Sequence, residues 1–387
     1  MFRTRAPQLP TISSARFLLV AGAVALASLS PAFAADAQRQ VERTLAGRPN
    51  LVVELHNLAG NVTVAATSGS EVRIAGTVFA AGKTAAEAER VAGLLNVTYE
   101  EKGDRWIVKA TYPLEESRKY CYPRQGEGEA LPWFLEWLDM GSSNFKYDGR
   151  QVSIVSQPGA GALTLYADFR IEVPAGVGVT VKDGIGVVAS SGVRGAQTLD
   201  IATGEIQVQD GEGSLSADTG SGDVHIRRQK GDVQVDTGSG DVRLEQVAAG
   251  RVDIDTGSGD IHLQDVAGAF SCDTGSGDIV GKALKLGSNL NADTGSGDVT
   301  LSGDFSTVSR IAIDTGSGDV TLEASPATAA PQVRMAVSTG SGEISLDLPS
   351  SRVTHSGRGD LKAEIGAATG TAAISTGSGD VTVRTAR

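Results

Sequence analysis

Sulfur and imidazole are scarce in this chain, whose 387 residues include two cysteines, three methionines and four histidines. Two cysteines cannot make the disulfide framework of a small secreted scaffold. Cys272 falls where neighbouring segments place valine or isoleucine, which marks it as a buried apolar filler, and Cys121 lies in a stretch without regular pattern. A bridge between them is not expected. His56, His225, His262 and His355 are dispersed. The outward-facing pair, His225 and His262, stand about 10 Å apart at strand spacing, too far for both to reach one metal at about 2 Å. Basic residues are outnumbered, 34 against 46 acids, for a formal net charge of -12. That balance argues against a nucleic acid or an anionic membrane surface as partner.

Long apolar runs are also missing. The longest, "FLLVAGAVALASL" from Phe17 to Leu29, is too short to span a bilayer comfortably. Arg3, Arg5 and Arg16 precede it and "AFA" follows at Ala32 to Ala34, the pattern of a secretory leader over 1–34 cleaved before Ala35. Its removal takes away three arginines and no acid. With no cysteine at the cleavage site and no second apolar run, neither a lipid nor a transmembrane anchor is expected. The expectation is an exported protein, periplasmic or at the cell surface.

Glycine is abundant, at 49 residues, and much of it sits in one string. "DTGSGDV" and close variants recur six times between Asp218 and Val320. A hydrophobic residue followed by Asp-Thr-Gly-Ser is an aspartic-protease signature, but such an enzyme needs two carboxylates sharing one proton, not six loops in a row. The second acids, Glu205, Asp223, Asp241, Asp260, Asp278, Asp298, Asp319, Glu343, Asp360 and Asp380, follow at steps of 18, 18, 19, 18, 20, 21, 24, 17 and 20 residues. A near-constant period of this size marks a stacked repeat. Apolar residues alternate with polar ones on both sides of each string, as in Val233/Val235 before it and Val242/Leu244 after it. The unit is therefore strand, glycine-rich corner, strand, variable turn. Glycine at the corner is expected to supply positive φ.

The fold expected is all-β: a parallel β-solenoid of about ten coils of 17–24 residues, right-handed by the crossover rule, under a mixed strand and short-helix N-terminal cap. Residues 35–49 form an N-terminal extension, 50–112 the cap, 113–159 an irregular aromatic-containing insertion and 160–387 the solenoid. In the cap, Thr84 and Glu87 form a capping box for a helix whose Ala88, Val91 and Leu95 share a face. Asn96 to Tyr112 reads as a hairpin about Lys102-Gly103-Asp104.

"LHNLAGNVTVAATSGSEVRIAGTV" from Leu55, "YADFRIEVPAGVGVTV" from Tyr166 and the "TGSGDV" array resemble an uncharacterised bacterial β-strand-repeat family whose members are named putative adhesins. The resemblance runs from about Asn50 to Thr385 and implies a β-solenoid of the cell envelope without known enzymatic activity. It brings no catalytic or binding residues.

No catalytic residue, cofactor or nucleophile constellation is expected, and "GEGEA" near Gly126 lacks the lysine and flanking elements of a phosphate loop. The function expected is a non-enzymatic adhesion or scaffold module whose partner is an envelope protein or a glycan. Two alternatives stand beside it. One is a calcium-stiffened β-roll, with Asp223, Asp241, Asp260, Asp278, Asp298 and Asp319 as the candidate ligands. The other is a polysaccharide-acting β-helix enzyme. Recognition is expected in "LPWFLEWLDM", where helical spacing aligns Trp133, Trp137 and Met140 beside Phe134, either as a lid on the solenoid or as an exposed aromatic anchor.

Overall fold

The computed structural model describes residues 35–123, 142–159, 161–325 and 330–386. These fold into strands with a single helix, Ala85–Leu94. Among the described residues no helix is long and apolar enough to cross a membrane. From Leu199 onward the expected alternation is realised: Leu215 and Ala217, Val224 and Ile226, Val252 and Ile254 are all 2% exposed or less. Each repeat contributes two strands, and each pairs in parallel with the same strand of the next coil, so Val233–Thr237 lies on Val252–Thr256 and Val242–Glu245 on Ile261–Gln264. Inward columns of valine, isoleucine and leucine make one continuous core. The return turn has its own column, with non-glycine residues in the left-handed region at Asp210, Arg228, Gln246, Asp265 and Ala283. Cys272 sits in the core column as expected; both cysteines are free and buried.

Chain order and stacking order part company at both ends. Near the N-terminus, Val52–His56 and Val62–Ala66 form a complete coil beneath Gly178–Ser191. On its other side lie Arg105–Thr111 and Leu163–Val173, two strands far apart in sequence that together fill the next level. At the C-terminus, Gly370–Thr376 and Val381–Thr385 insert between the coil of Arg310–Thr315 and Val320–Ala324 and that of Val333–Thr339 and Ile344–Asp347. The corner order is therefore Asp319, Asp380, Glu343. Asp360, expected as a corner, instead belongs to an antiparallel hairpin of Ser351–Ser356 and Asp360–Ile365. In "HSGRGDL" an arginine replaces the small serine, Gly359 takes φ 81°, and Gly357 N–H closes on the Asp360 carbonyl, so the string makes a tight reversal.

Strands are present both in 35–49 and in the described part of 113–159. Within 35–49, Ala35–Ala46 runs antiparallel to Glu71–Gly82 along its whole length and covers an edge that would otherwise be unpaired. The described part of 113–159 holds Lys119–Cys121, which includes Cys121, and the hairpin of Ser142–Tyr147 and Arg150–Val155. Asp148 (φ 49°) and Gly149 (φ 75°) form that hairpin's two-residue turn, the backbone that Asp-Gly favours. The dipeptide was the legible signal. The hairpin of Asn96–Lys102 and Arg105–Thr111 is present as expected. The Thr84 hydroxyl accepts from Glu87 N–H at 3.2 Å, and the helix, with Ala88 and Val91 buried, packs against Glu71–Gly82 and Ala35–Ala46.

Candidate functional site

The repeated corner is where the chemistry of this chain concentrates. Its threonine points inward and donates to the carbonyl of a glycine in the adjacent coil, as Thr274 does to Gly259 at 3.0 Å and Thr294 to Gly277 at 2.9 Å. Its first glycine donates its N–H to the threonine carbonyl of that coil, as Gly275 does to Thr256 at 3.1 Å. The second glycine is required by proximity. A Cβ on Gly259, Gly277 or Gly318 would stand 2.0 to 2.1 Å from the carbonyl oxygen of the glycine stacked against it. Only in the earlier coils, at Gly60, Gly186, Gly204, Gly222 and Gly240, does this position also take positive φ. The expected reason for glycine, backbone freedom, thus gives way along most of the column to lack of room for a methyl group.

The second acids stack as a ladder. Oδ1 of Asp223 accepts the N–H of Asp241 at 2.9 Å, Asp241 that of Asp260, Asp260 that of Asp278, Asp278 that of Asp298 and Asp298 that of Asp319. The series continues through Asp319 to Asp380 and from Asp380 to Glu343. Each of the six aspartates considered as cation ligands therefore already spends one carboxylate oxygen on a backbone N–H, which offsets the repulsion within the column. Among the described residues no group of three or more His, Cys, Asp or Glu side chains could hold a metal ion.

The first acids form a second column on the outer face: Asp200, Asp218, Asp236, Asp255, Asp273, Asp293 and Asp314 in register. Burial, with repulsion from Asp200 and Asp236 added, lifts the Asp218 carboxyl above its ordinary range; burial with Asp293 and Asp255 does the same to Asp273. Ser375 donates to Asp314 at 2.7 Å and ends the run. Two carboxylates per coil of about 4.8 Å rise is roughly one charge per 2.4 Å, approaching the one per roughly 1.7 Å of duplex DNA.

Below Asp200 the acid columns stop, for a structural reason. The corner positions there are His56 to Asn61 and Lys182 to Val187, and Tyr112 together with described residues of the insertion lies over them. Tyr112 hydroxyl donates to Asn57 Oδ1 and the Ala59 carbonyl, each at 3.1 Å, and Tyr122 hydroxyl to Asn61 Oδ1 at 3.1 Å. Phe145 fills the space a side chain on Gly184 would need. The Glu54 side chain, 8% exposed, is gripped by Arg105 at 2.8 Å, His56 at 2.8 Å and Lys182 at 3.3 Å. Burial pushes its carboxyl up, but these three partners together outweigh burial and hold it at about 2.

His225 and His262 lie in one outward column with Arg243 between them, and His355 contacts Asp360 at 2.8 Å. Trp133, Phe134, Trp137 and Met140 lie outside the described residues. Sequence reasoning missed Asp183, Asn57 and Asn61, the polar residues under the insertion. Their signal was "HNLAGNV" and "KDGIGVV" aligned on "DTGSGDV", which places each in a corner position.

The model of the Toastrack DUF4097 family matches residues 204–322 of this chain. Two solved structures are matched over most of this chain. One is described as a putative adhesin from Bacteroides fragilis, 10% identical, covering 89% of this chain and 97% of that chain with a TM-score of 0.31. The other is a putative cell adhesion protein from Clostridium sporogenes, 8% identical, covering 90% and 100% with a TM-score of 0.17. No curated protein matches the sequence.

Proposed function

We propose that this chain is an exported, non-enzymatic module of the adhesion or scaffold class, in which the solenoid is a rigid rod and the insertion at its first levels carries recognition of an envelope protein or glycan. The path of the chain is what carries this role. Arg105–Thr111 and Leu163–Val173 occupy a single level of the stack, so the chain leaves the rod where every later coil turns its corner, and the segment between them is grafted there. The graft is rooted by phenol hydrogen bonds on the rigid coils beneath, the arrangement that lets a connecting segment vary without disturbing its scaffold. The array suits this role because each coil touches only its neighbours and tolerates length changes in its turns.

The test replaces Trp133, Phe134, Trp137 and Met140 together by serine and compares binding to isolated envelope fractions with thermal stability. Binding lost at unchanged stability supports recognition by this segment, and unchanged binding refutes it. Release of new reducing ends from a panel of acidic and neutral glycans would instead favour the polysaccharide-acting enzyme.

A further inference from the structure

Asp183 occupies the corner position that threonine fills in later coils, since it stands in register with Ile201 and Ile201 with Thr219. The residue is 6% exposed. Oδ1 accepts from Gly184 N–H at 2.9 Å, and Oδ2 has no hydrogen-bond partner. The phenols of Tyr112, Tyr122 and Tyr147 act on this carboxyl electrostatically, yet all donate elsewhere. Tyr112 bonds to Asn57 and Ala59, Tyr122 to Asn61, and Tyr147 to the Ala110 carbonyl. One N–H of the Asn57 amide donates to the Ala167 carbonyl at 3.0 Å; the same amide, acting as a hydrogen-bond donor toward Asp183, favours the anion, but its pull is smaller than the burial and repulsion opposing it. The nearby cations are committed too: Lys182 faces outward to Glu54, and Lys109 pairs with Asp148 at 2.7 Å. The other carboxyl facing it, Asp168, adds repulsion and is itself held by Asn61 N–H at 2.7 Å. Directly beside it, Phe145 of the hairpin packs on Gly184.

A carboxyl closed in by aromatic rings, with an orphan oxygen, a like-charged neighbour and no free cation among the described residues, is stable there only with its proton. We propose that the hairpin of Ser142–Tyr147 and Arg150–Val155 is latched onto the first coils by protonated Asp183, and that loss of this proton loosens the hairpin while the rod stays folded. The sign follows from linkage. Burial, with Asp168 adding, raises the closed-state pKa well above the ordinary value, whereas lifting the hairpin exposes the group to water. Closed therefore binds the proton more tightly than open. The latch is firmest in acid and weakens as pH rises from about 4, the open population growing on the order of tenfold per pH unit until the closed-state pKa is passed. It operates in the same way whatever the insertion binds.

Hydrogen exchange on the full chain between pH 5 and 9, corrected for intrinsic exchange chemistry, tests it. In the wild type, peptides within 142–155 should lose protection steeply with pH, while the coil 233–245 keeps a flat profile. Asp183→Asn should flatten the hairpin profile, and so should Asp183→Thr, which restores the residue of the later corners. Asp168→Asn should leave the slope in place. A flat wild-type profile at 142–155 overturns the latch whatever the variants do. So does a slope that survives in Asp183→Asn, is abolished by Asp168→Asn, or appears equally in the coil 233–245.

Discussion

Gly277→Ala separates two physical accounts of the corner by the sign of its effect. If glycine were there for loop freedom, alanine at this position, which lies outside the positive-φ region, would stabilise by about 0.4–1 kcal/mol through the unfolded chain. The structure demands the opposite. The new Cβ would lie 2.1 Å from the Gly259 carbonyl oxygen and 2.6 Å from its carbon, both immobile backbone. Relief requires the two coils to part by about 1 Å on a spacing of about 4.8 Å. Four bonds join them at this corner: Gly275 N–H to Thr256 O at 3.1 Å, Thr274 hydroxyl to Gly259 O at 3.0 Å, Asp278 N–H to Asp260 Oδ1 at 2.9 Å, and Ile261 N–H to Asp278 O at 2.8 Å. Stretched by that much they leave bonding range. At about 1 kcal/mol each, less the unfolded-state gain, the net loss is about 3 kcal/mol. Urea unfolding gives the total, and hydrogen exchange locates it in 256–261 and 274–279, because coils communicate with their neighbours first. Gly93→Ala, in the helix with nothing within 4 Å of its Cβ, is the control and should stabilise by up to about 1 kcal/mol. Equal or greater stability of Gly277→Ala would refute the stacking argument.

Val252→Asp, which sets an unpaired charge in a fully buried column, should lower the melting temperature far more than Asp241→Asn, whose amide oxygen can still accept the Asp260 N–H; comparable shifts would contradict the register. Calcium titration followed by melting temperature, with magnesium as control, should give a small rise, because one oxygen of each corner carboxylate is already bonded; a rise of many degrees at micromolar calcium would restore the calcium-stiffened β-roll. Glu54, held at about 2 in the folded chain, contributes stability that is present above pH 4.5 and lost as pH falls toward 2. Glu54→Gln should therefore melt lower at pH 7 and show a shallower acid decline than the wild type; parallel acid profiles would show that its partners do not stabilise the charged form.

Much of the array was legible because a two-residue alternation and a fixed corner string recur with every coil. Val252, Ile254 and Cys272 could be assigned inward by comparison with their counterparts alone. Ile344 and Leu346 follow the same pattern but are only half-buried, because their strand pairs on one side with Val381–Thr385 and, among the described residues, no further coil lies beyond it. The corner aspartates were legible as a column, but their partners were not: serine and threonine hydroxyls were as reasonable as the backbone N–H groups that the stack supplies. Asp183 was hidden because its segment departs from the string at threonine, and its burial depends on aromatic residues contributed from 112–147. The hairpin at Asp148-Gly149 was written locally and overlooked among irregular neighbours.

Taken alone, the sequence determined the period, the inward columns and the small-residue corner, because these express side-chain alternation and steric fit within one repeat. The level each coil occupies was decided by tertiary structure. Long-range stacking placed the coil of 52–66 between Gly178–Ser191 and the level shared by Arg105–Thr111 and Leu163–Val173. It likewise set 370–385 between the coils of 310–324 and 333–347. Successive corners present nearly the same glycine, threonine and acid surface to either neighbour, so no local pattern states which coil lies on which.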